Sequence, residues 1–177
     1  MTRDQLAAAL ADAALLTGDF TLRSGRISKY YLDKYLFATR PELLRELGAM
    51  FAAHVDDSVD RLAGPELGGI PLVTATALAT GKPMVLIRNA KKDYGTAKRF
   101  EGKIEPGERI LITEDIATSG GQSIEAARLL RDEMKCDVAK IVVVVDRQEG
   151  AREAIEAAGF GFASLFTKAD LGIGDGG

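Results

Sequence analysis

Glu114 and Asp115 stand side by side directly after the apolar run Ile110-Leu-Ile-Thr113, and Thr118-Ser119-Gly120-Gly121-Gln122-Ser123 follows two residues later. Two adjacent carboxylates repel one another unless a diol or a cation answers them. Along a continuing strand their side chains would leave on opposite faces, so facing one ligand together requires the strand to break into a loop at the acids. The two hydroxyls and two glycines after them open a helix. They offer free backbone N–H groups, side-chain donors and the positive end of a helix dipole, a set suited to phosphate. Acids for a sugar diol beside amides for its phosphate describe a phosphorylated-ribose site. Taken alone, Thr-Ser-Gly-Gly is equally an ordinary strand-to-helix turn with Ser119 as N-cap. The acidic pair ahead of it favours the site.

Two further constellations are cationic. Residues 88–103 hold six basic side chains (Arg88, Lys91, Lys92, Lys98, Arg99, Lys103) against Asp93 and Glu101, a local charge of +4. The other 161 residues therefore carry −7, within a whole-chain charge of −3. A long stretch without periodic apolar residues is either functional or a solvated loop, and a basic one can also touch nucleic acid. Arg147 follows the run Ile141–Val145. A guanidinium matches a carboxylate with two parallel hydrogen bonds, which Lys cannot do, although an arginine after a strand is more often a solvated loop residue.

The elements that must position these groups alternate. Residues 4–16 read as an amphipathic helix stopping at Gly18, followed by short strands at Phe20–Arg23 and Lys29–Asp33 around the turn Ser24-Gly25-Arg26. Pro41 opens a helix whose inner face is Leu43, Leu44, Leu47 and Phe51. Strands at 61–64, 83–87, 109–113, 138–145 and 160–166 then alternate with helices at 70–80, 121–134 and 151–158, and 88–107 reads as a long polar segment. Continuous apolar runs such as Ile141–Val145 are those of buried parallel strands. The pattern is α/β, an open and mainly parallel twisted sheet flanked by helices. Ligands of such sheets sit beyond the carboxyl ends of the strands, after 64, 87, 113 and 145, where the chemistry-bearing residues lie.

The chain has 177 residues, 46% apolar and 28% charged, which fits one ordinary globular domain. Its single cysteine, Cys136, cannot form an internal bridge and points to a reducing compartment. The longest apolar run is far short of a membrane span, and the N-terminus reads as an Ala/Leu amphipath rather than a signal peptide. Mild acidity argues against a nucleic-acid binder as a whole. No Gly-x-Gly-x-x-Gly is present, and the Gly-Lys pairs at 81–82 and 102–103 are followed by Pro83 and Ile104 rather than Ser or Thr, so neither a dinucleotide fingerprint nor a Walker loop exists.

The segment from Ile110 through Ser123 resembles the phosphoribosyl-pyrophosphate motif of type I phosphoribosyltransferases, with Ser119 for a Thr and Gln122 for a small hydroxyl. Four other stretches narrow the resemblance to the orotate phosphoribosyltransferase family. Phe20–Asp33 is similar to its N-terminal hood, Gly64–Pro71 to its pyrophosphate loop, Val145–Gly150 to the segment whose arginine binds the orotate carboxylate, and Leu165–Thr167 to its last strand. Departures are Gly68 and Arg23, each standing where the family often has Lys, and Asn89 and Tyr94, standing for a Lys and a His of the lid.

This resemblance implies a small N-terminal α+β hood over about 1–36, a flexible catalytic lid over about 89–103 and a frayed tail over about 172–177, all within a single domain of residues 1–177. It implies transfer of phosphoribosyl from phosphoribosyl pyrophosphate to orotate, giving orotidine 5′-monophosphate and pyrophosphate. Lys92, Arg88 and Asp115 would be catalytic. Arg88, Lys92, Tyr94, Glu114, Asp115, Ile116, Ala117, Thr118, Ser119, Gly120, Gly121 and Gln122 would bind phosphoribosyl pyrophosphate, and Arg23, Tyr31, Thr118 and Arg147 would bind orotate. Mg²⁺ would be held through the substrate rather than mainly by protein. A cytoplasmic homodimer sharing its lids, with no nucleic acid and no membrane, is implied as well. A purine phosphoribosyltransferase and a non-catalytic nucleotide- or RNA-binding regulator on the same fold are the alternatives. The sole histidine, His54, lies outside every motif.

Overall fold

The structure is a computed structural model describing residues 1–21, 27–89 and 99–174. Six strands form one sheet: β3 (Arg61–Pro65), β4 (Met84–Ile87), β5 (Phe100–Glu101), β6 (Arg109–Ala117), β7 (Asp137–Asp146) and β8 (Phe162–Thr167). Their order is β5-β4-β3-β6-β7-β8, parallel throughout except for the antiparallel edge β5. Helices α4 (Gly69–Thr80), α5 (Gly121–Asp132) and α6 (Ala151–Ala157) connect the parallel strands. Both faces of the sheet are covered, as continuous apolar strands require. Leu62, Leu111, Val142 and Val144 pack in one core with Leu72 and Val73 of α4, while Ile110, Ile112, Ile141 and Val143 pack in the other with Ala127 and Leu130 of α5.

The first core is completed by α1 (Arg3–Ala14) and α3 (Pro41–Ala52), through residues such as Leu10, Leu47 and Phe51. A separate antiparallel hairpin, β1 (Leu15–Thr21) with β2 (Ile27–Leu32), follows α1, and a five-residue helix α2 (Lys34–Ala38) follows the hairpin. The fold class is as the sequence indicates, while several local boundaries differ. α1 ends at Ala14 rather than running to 16, because Leu15 turns extended and pairs with Leu32. Asp33, expected in the second strand, caps α2 instead, its Oδ1 accepting from Tyr35 N at 3.1 Å. Part of the expected frayed tail is held in place: Ile173 is buried, and its N–H donates to Lys168 O at 3.1 Å.

The 88–107 stretch also divides. Phe100 is buried and Phe100–Glu101 pairs with β4, so the sheet claims a part of the expected lid. Arg88 N donates to Arg99 O at 2.8 Å just outside that ladder. Residues 90–98, and with them Lys92 and Tyr94, lie outside the described residues, as does Arg23.

From β3 the chain crosses through α4 to β4 on one side; from β6 it crosses through α5 and then α6 to β7 and β8 on the other. The order therefore reverses between β3 and β6. Open α/β sheets bind ligands at this switch point, outside the strand carboxyl ends.

Candidate active site

The acidic pair stands at the switch point, but the strand does not break for it. β6 runs through Glu114 and Asp115 to Ala117, with Glu114 opposite Val143 and Ile116 opposite Val145. The side chains consequently leave on opposite faces, Asp115 on the side of Leu111 and Glu114 on that of Ile112. Both nevertheless line one cavity of about 460 Å³, together with Lys34, Glu66, Arg88, Asn89 and Gln122. The last pairing of β3 with β6 is Ala63 with Ile112, so both acids stand beyond that ladder, where the loop after β3 leaves the sheet. The expectation of a loop at the acids is corrected, while their convergence on one space stands.

Both carboxylates are buried. Glu114 Oε1 accepts from Asp115 N at 3.0 Å, and Asp115 Oδ1 from Ile116 N at 2.5 Å. Burial, and next the neighbouring Asp115 charge, push the Glu114 carboxyl well above its ordinary range, with the Asp115 N–H and Lys34 opposing. Lys34 Nζ lies 2.9 Å from Asp115 Oδ2, an oxygen that is buried and receives no directed hydrogen bond from the described residues. Burial works against the Lys34 charge, but the Asp115 carboxylate outweighs it, and the ammonium is held above its ordinary value.

Gly68 makes this arrangement possible. A Cβ at that position would stand 1.6 Å from Asp115 Oδ2. The preceding Glu66 anchors the loop: its N–H donates to Ile87 O at 2.8 Å, its Oε1 accepts from Asn89 N at 2.7 Å, and its carbonyl accepts from Asn89 Nδ2 at 3.3 Å. Asn89 thus ties the loop after β3 to the end of β4. The Arg88 guanidinium lies 3.9 Å from the Glu101 carboxylate, and its Nε is buried without a hydrogen-bond partner among the described residues.

Ile116, Ala117, Thr118, Ser119, Gly120, Gly121 and Gln122 close around a second, smaller pocket of about 290 Å³ that shares Glu114 with the first. Ser119 is not the N-cap of α5. Gly120 takes that place in the left-handed region at φ 77°, and no side chain caps the first turn. A Cβ at 120 would also meet Ile155 Cγ1 at 3.0 Å, so this turn requires glycine twice over. The orphan N–H groups of the first turn of α5 are left to a ligand, which suits a phosphate.

Arg147 stands at the adjacent strand end, its N–H donating to Ala117 O at 2.9 Å. Its Nη2 donates to Tyr30 Oη at 3.0 Å and lies 3.0 Å from Glu149 Oε1, while the guanidinium stands 5.1 Å from the Tyr30 ring centre. Tyr31, one residue on, is exposed on the other face of β2 with its ring 5.7 Å from that of Phe20. The hairpin therefore brings Tyr30, not Tyr31, to Arg147. Tyr30 and Lys34 are the residues that sequence reasoning missed. The alternation Ser28, Tyr30, Leu32 was the available signal for the first; nothing local marked the second. Among the described residues no group of three or more His, Cys, Asp or Glu could hold a metal ion. His54 follows α3, half-buried, and takes no part in these pockets.

Residues 37–167 match the phosphoribosyl transferase domain family. The orotate phosphoribosyltransferase of Halobacterium salinarum is 44% identical over 170 residues, 96% of either chain, and that of Natronomonas pharaonis is 45% identical over 172 residues, 97% of this chain and 98% of that one. The chain belongs to the orotate phosphoribosyltransferase family. Solved members of this family share its architecture. The Mycobacterium tuberculosis orotate phosphoribosyltransferase superposes with a TM-score of 0.83 at 31% identity, covering 96% of this chain and 98% of that one. A second structure of the M. tuberculosis protein is a complex with 5-phospho-α-D-ribosyl 1-diphosphate, and superposes with a TM-score of 0.77, again at 31% identity and with 96% and 98% coverage.

Proposed function

We propose that this chain transfers the phosphoribosyl group of phosphoribosyl pyrophosphate to orotate, and that the two pockets sharing Glu114 are where it does so. That sharing is the carrying observation: an acidic pair and a helix-end phosphate pocket adjoin with one carboxylate common to both. The donor bound by the M. tuberculosis relative has the chemistry this pairing fits. The 5′-phosphate takes the 118–122 loop and the first-turn amides of α5, and Glu114 and Asp115 accept from the ribose hydroxyls. Arg147, steadied by Tyr30, orients the orotate carboxylate.

Orotate carries its charge on the carboxylate, and the conjugated ring N–H is acidic enough to need no strong protein base. The ring nitrogen bonds to the anomeric carbon as the bond from that carbon to the pyrophosphate oxygen breaks; that electron pair leaves with pyrophosphate, and the N–H proton passes to the departing pyrophosphate or to solvent. Positive charge develops on the ribose beside the two acids, and negative charge develops on the leaving group near Arg88. Catalysis rests on positioning and on stabilising both charges. Lys92 is the main cation of the lid in this reading, with Tyr94 donating a hydrogen bond.

The donor set suits Mg²⁺ held through substrate: among the described residues the oxygen ligands at the site are an adjacent acid pair rather than a cage. When bound, the ion neutralises pyrophosphate charge. We further read the protein as a cytoplasmic homodimer whose lids each serve the partner's site. Absorbance change of orotate with phosphoribosyl pyrophosphate and Mg²⁺ tests the reaction, and an inert protein overturns it. Mixing Lys92→Ala with Asp115→Asn tests the sharing: hybrid dimers regain activity if lids act in trans, and verified hybrids without activity exclude it.

A further inference from the structure

The 460 Å³ cavity has an unbalanced lining. Among its described residues, Glu66, Glu114, Asp115 and Glu125 face two cations, Lys34 and Arg88. The loop after β3, Glu66-Leu67-Gly68-Gly69, contributes no cation, and Gly68 admits no side chain while Asp115 keeps its place. Of the described residues that the sheet brings to this cavity, only Arg88 after β4 then answers the charge of a pyrophosphate group placed here. α2 brings a second cation.

Lys34 is the first residue after the N-cap Asp33. The backbone there is pinned on both sides, with Asp33 N donating to Ala14 O at 2.9 Å and Asp33 Oδ1 accepting from Tyr35 N. The side chain is not pinned in the same way. It is 32% exposed, whereas that of Asp115, its partner at 2.9 Å, is 3% exposed. Asp115 Oδ2 is close to the ammonium yet lacks a directed hydrogen bond, so it retains the capacity to accept one from a ribose hydroxyl.

We propose that Lys34 is a pyrophosphate-binding cation of this site, resting on Asp115 and passing to a pyrophosphate oxygen when the ribose hydroxyls engage that carboxylate. The exchange replaces the Lys34–Asp115 ion pair by one between Lys34 and pyrophosphate, while the ribose hydroxyls take over as hydrogen-bond donors to Asp115. The alternative role for Lys34 is to neutralise the acids only, with no contact to ligand. The proposal rests on the phosphoribosyl-transfer reading and deepens it.

The two roles separate by ligand. Ribose 5-phosphate carries the diol and the 5′-phosphate but no pyrophosphate; phosphoribosyl pyrophosphate carries all three. In calorimetric titrations of the intact protein with Mg²⁺, Lys34→Met weakens binding of phosphoribosyl pyrophosphate and of pyrophosphate itself by about tenfold or more, the scale of a charge-assisted contact. It leaves the affinity for ribose 5-phosphate within about twofold. Lys34→Arg restores most of the pyrophosphate affinity, and Lys34→Gln, which can still donate to Asp115, does not, so either of these serves if the Met variant fails to fold. Equal loss for both ligands, or none for pyrophosphate, overturns the proposal. The phosphoribosyl-transfer reading fails separately, by a wild-type protein that does not turn over orotate.

Discussion

The Tyr30 hydroxyl accepts a hydrogen bond from Arg147 Nη2 at 3.0 Å and joins the hairpin to the carboxyl end of β7 across 117 residues of sequence. The ring of Tyr30 also lies beneath the guanidinium, whose Nε is buried without a hydrogen-bond partner among the described residues. Tyr30 thus fixes the plane of Arg147 from one side. Tyr30→Phe keeps the ring and removes the hydrogen bond. A hydrogen bond to a charged group contributes about 1.5–3 kcal/mol, so the KM for orotate rises about tenfold or more, with a smaller change in kcat. Steady-state kinetics with orotate varied at saturating phosphoribosyl pyrophosphate checks this.

Glu114 carries a stability cost that depends on pH. Burial first, and the Asp115 charge second, raise its folded-state pKa to about 8, against about 4.3 for an unfolded glutamate. A carboxyl whose folded pKa is raised costs nothing below its unfolded value and destabilises the fold as pH climbs from there through the folded value. Glu114→Gln therefore raises Tm at pH 8 by about 3 °C or more while changing it little near pH 4.5, and loses activity. Thermal melts of both proteins across that range check the sign.

Gly68→Ala tests the close approach to Asp115. The added Cβ would fall 1.6 Å from Oδ2, so either the loop or the carboxylate must shift. In the proposed reaction this carboxylate faces the ribose, so kcat/KM for phosphoribosyl pyrophosphate falls about 100-fold, the scale of a misplaced positioning group. Tm changes far less in proportion, and the ratio of the two effects is the measurement.

Gly120→Ala reports on the phosphate turn. It meets a left-handed backbone at φ 77° and a Cβ contact of 3.0 Å with Ile155. Strain of this kind costs about 1–3 kcal/mol. Denaturant unfolding shows a loss within that range, accompanied by weaker binding of ribose 5-phosphate.

Much of this was legible in the chain. The apolar runs of β6 and β7 marked buried parallel strands, and Glu114, Asp115 and the Gly120-Gly121 turn placed the site at strand ends. Local pattern could not say that β6 continues through its acids, because the convergence of Glu114 and Asp115 depends on where the neighbouring β3 stops. Nor could it distinguish Tyr30 from Tyr31: both are tyrosines on one strand, and only the face turned toward Arg147 separates them. Lys34 was invisible for a similar reason. It sits on a helix of five residues, too short to show a periodic signature, and its partner Asp115 is 81 positions away. β5, two residues long, borrows its existence from the edge of β4.

The backbone hydrogen bond from Arg88 to Arg99 fixes the two stems of the segment between them just beyond the β4–β5 ladder. Doubling the length of such an insert costs only about 0.6 kcal/mol of closure entropy. With both stems held, and Asn89 kept for its bonds to Glu66, a relative's residues can be grafted at positions 90–98 and their cation pattern read out on the same scaffold.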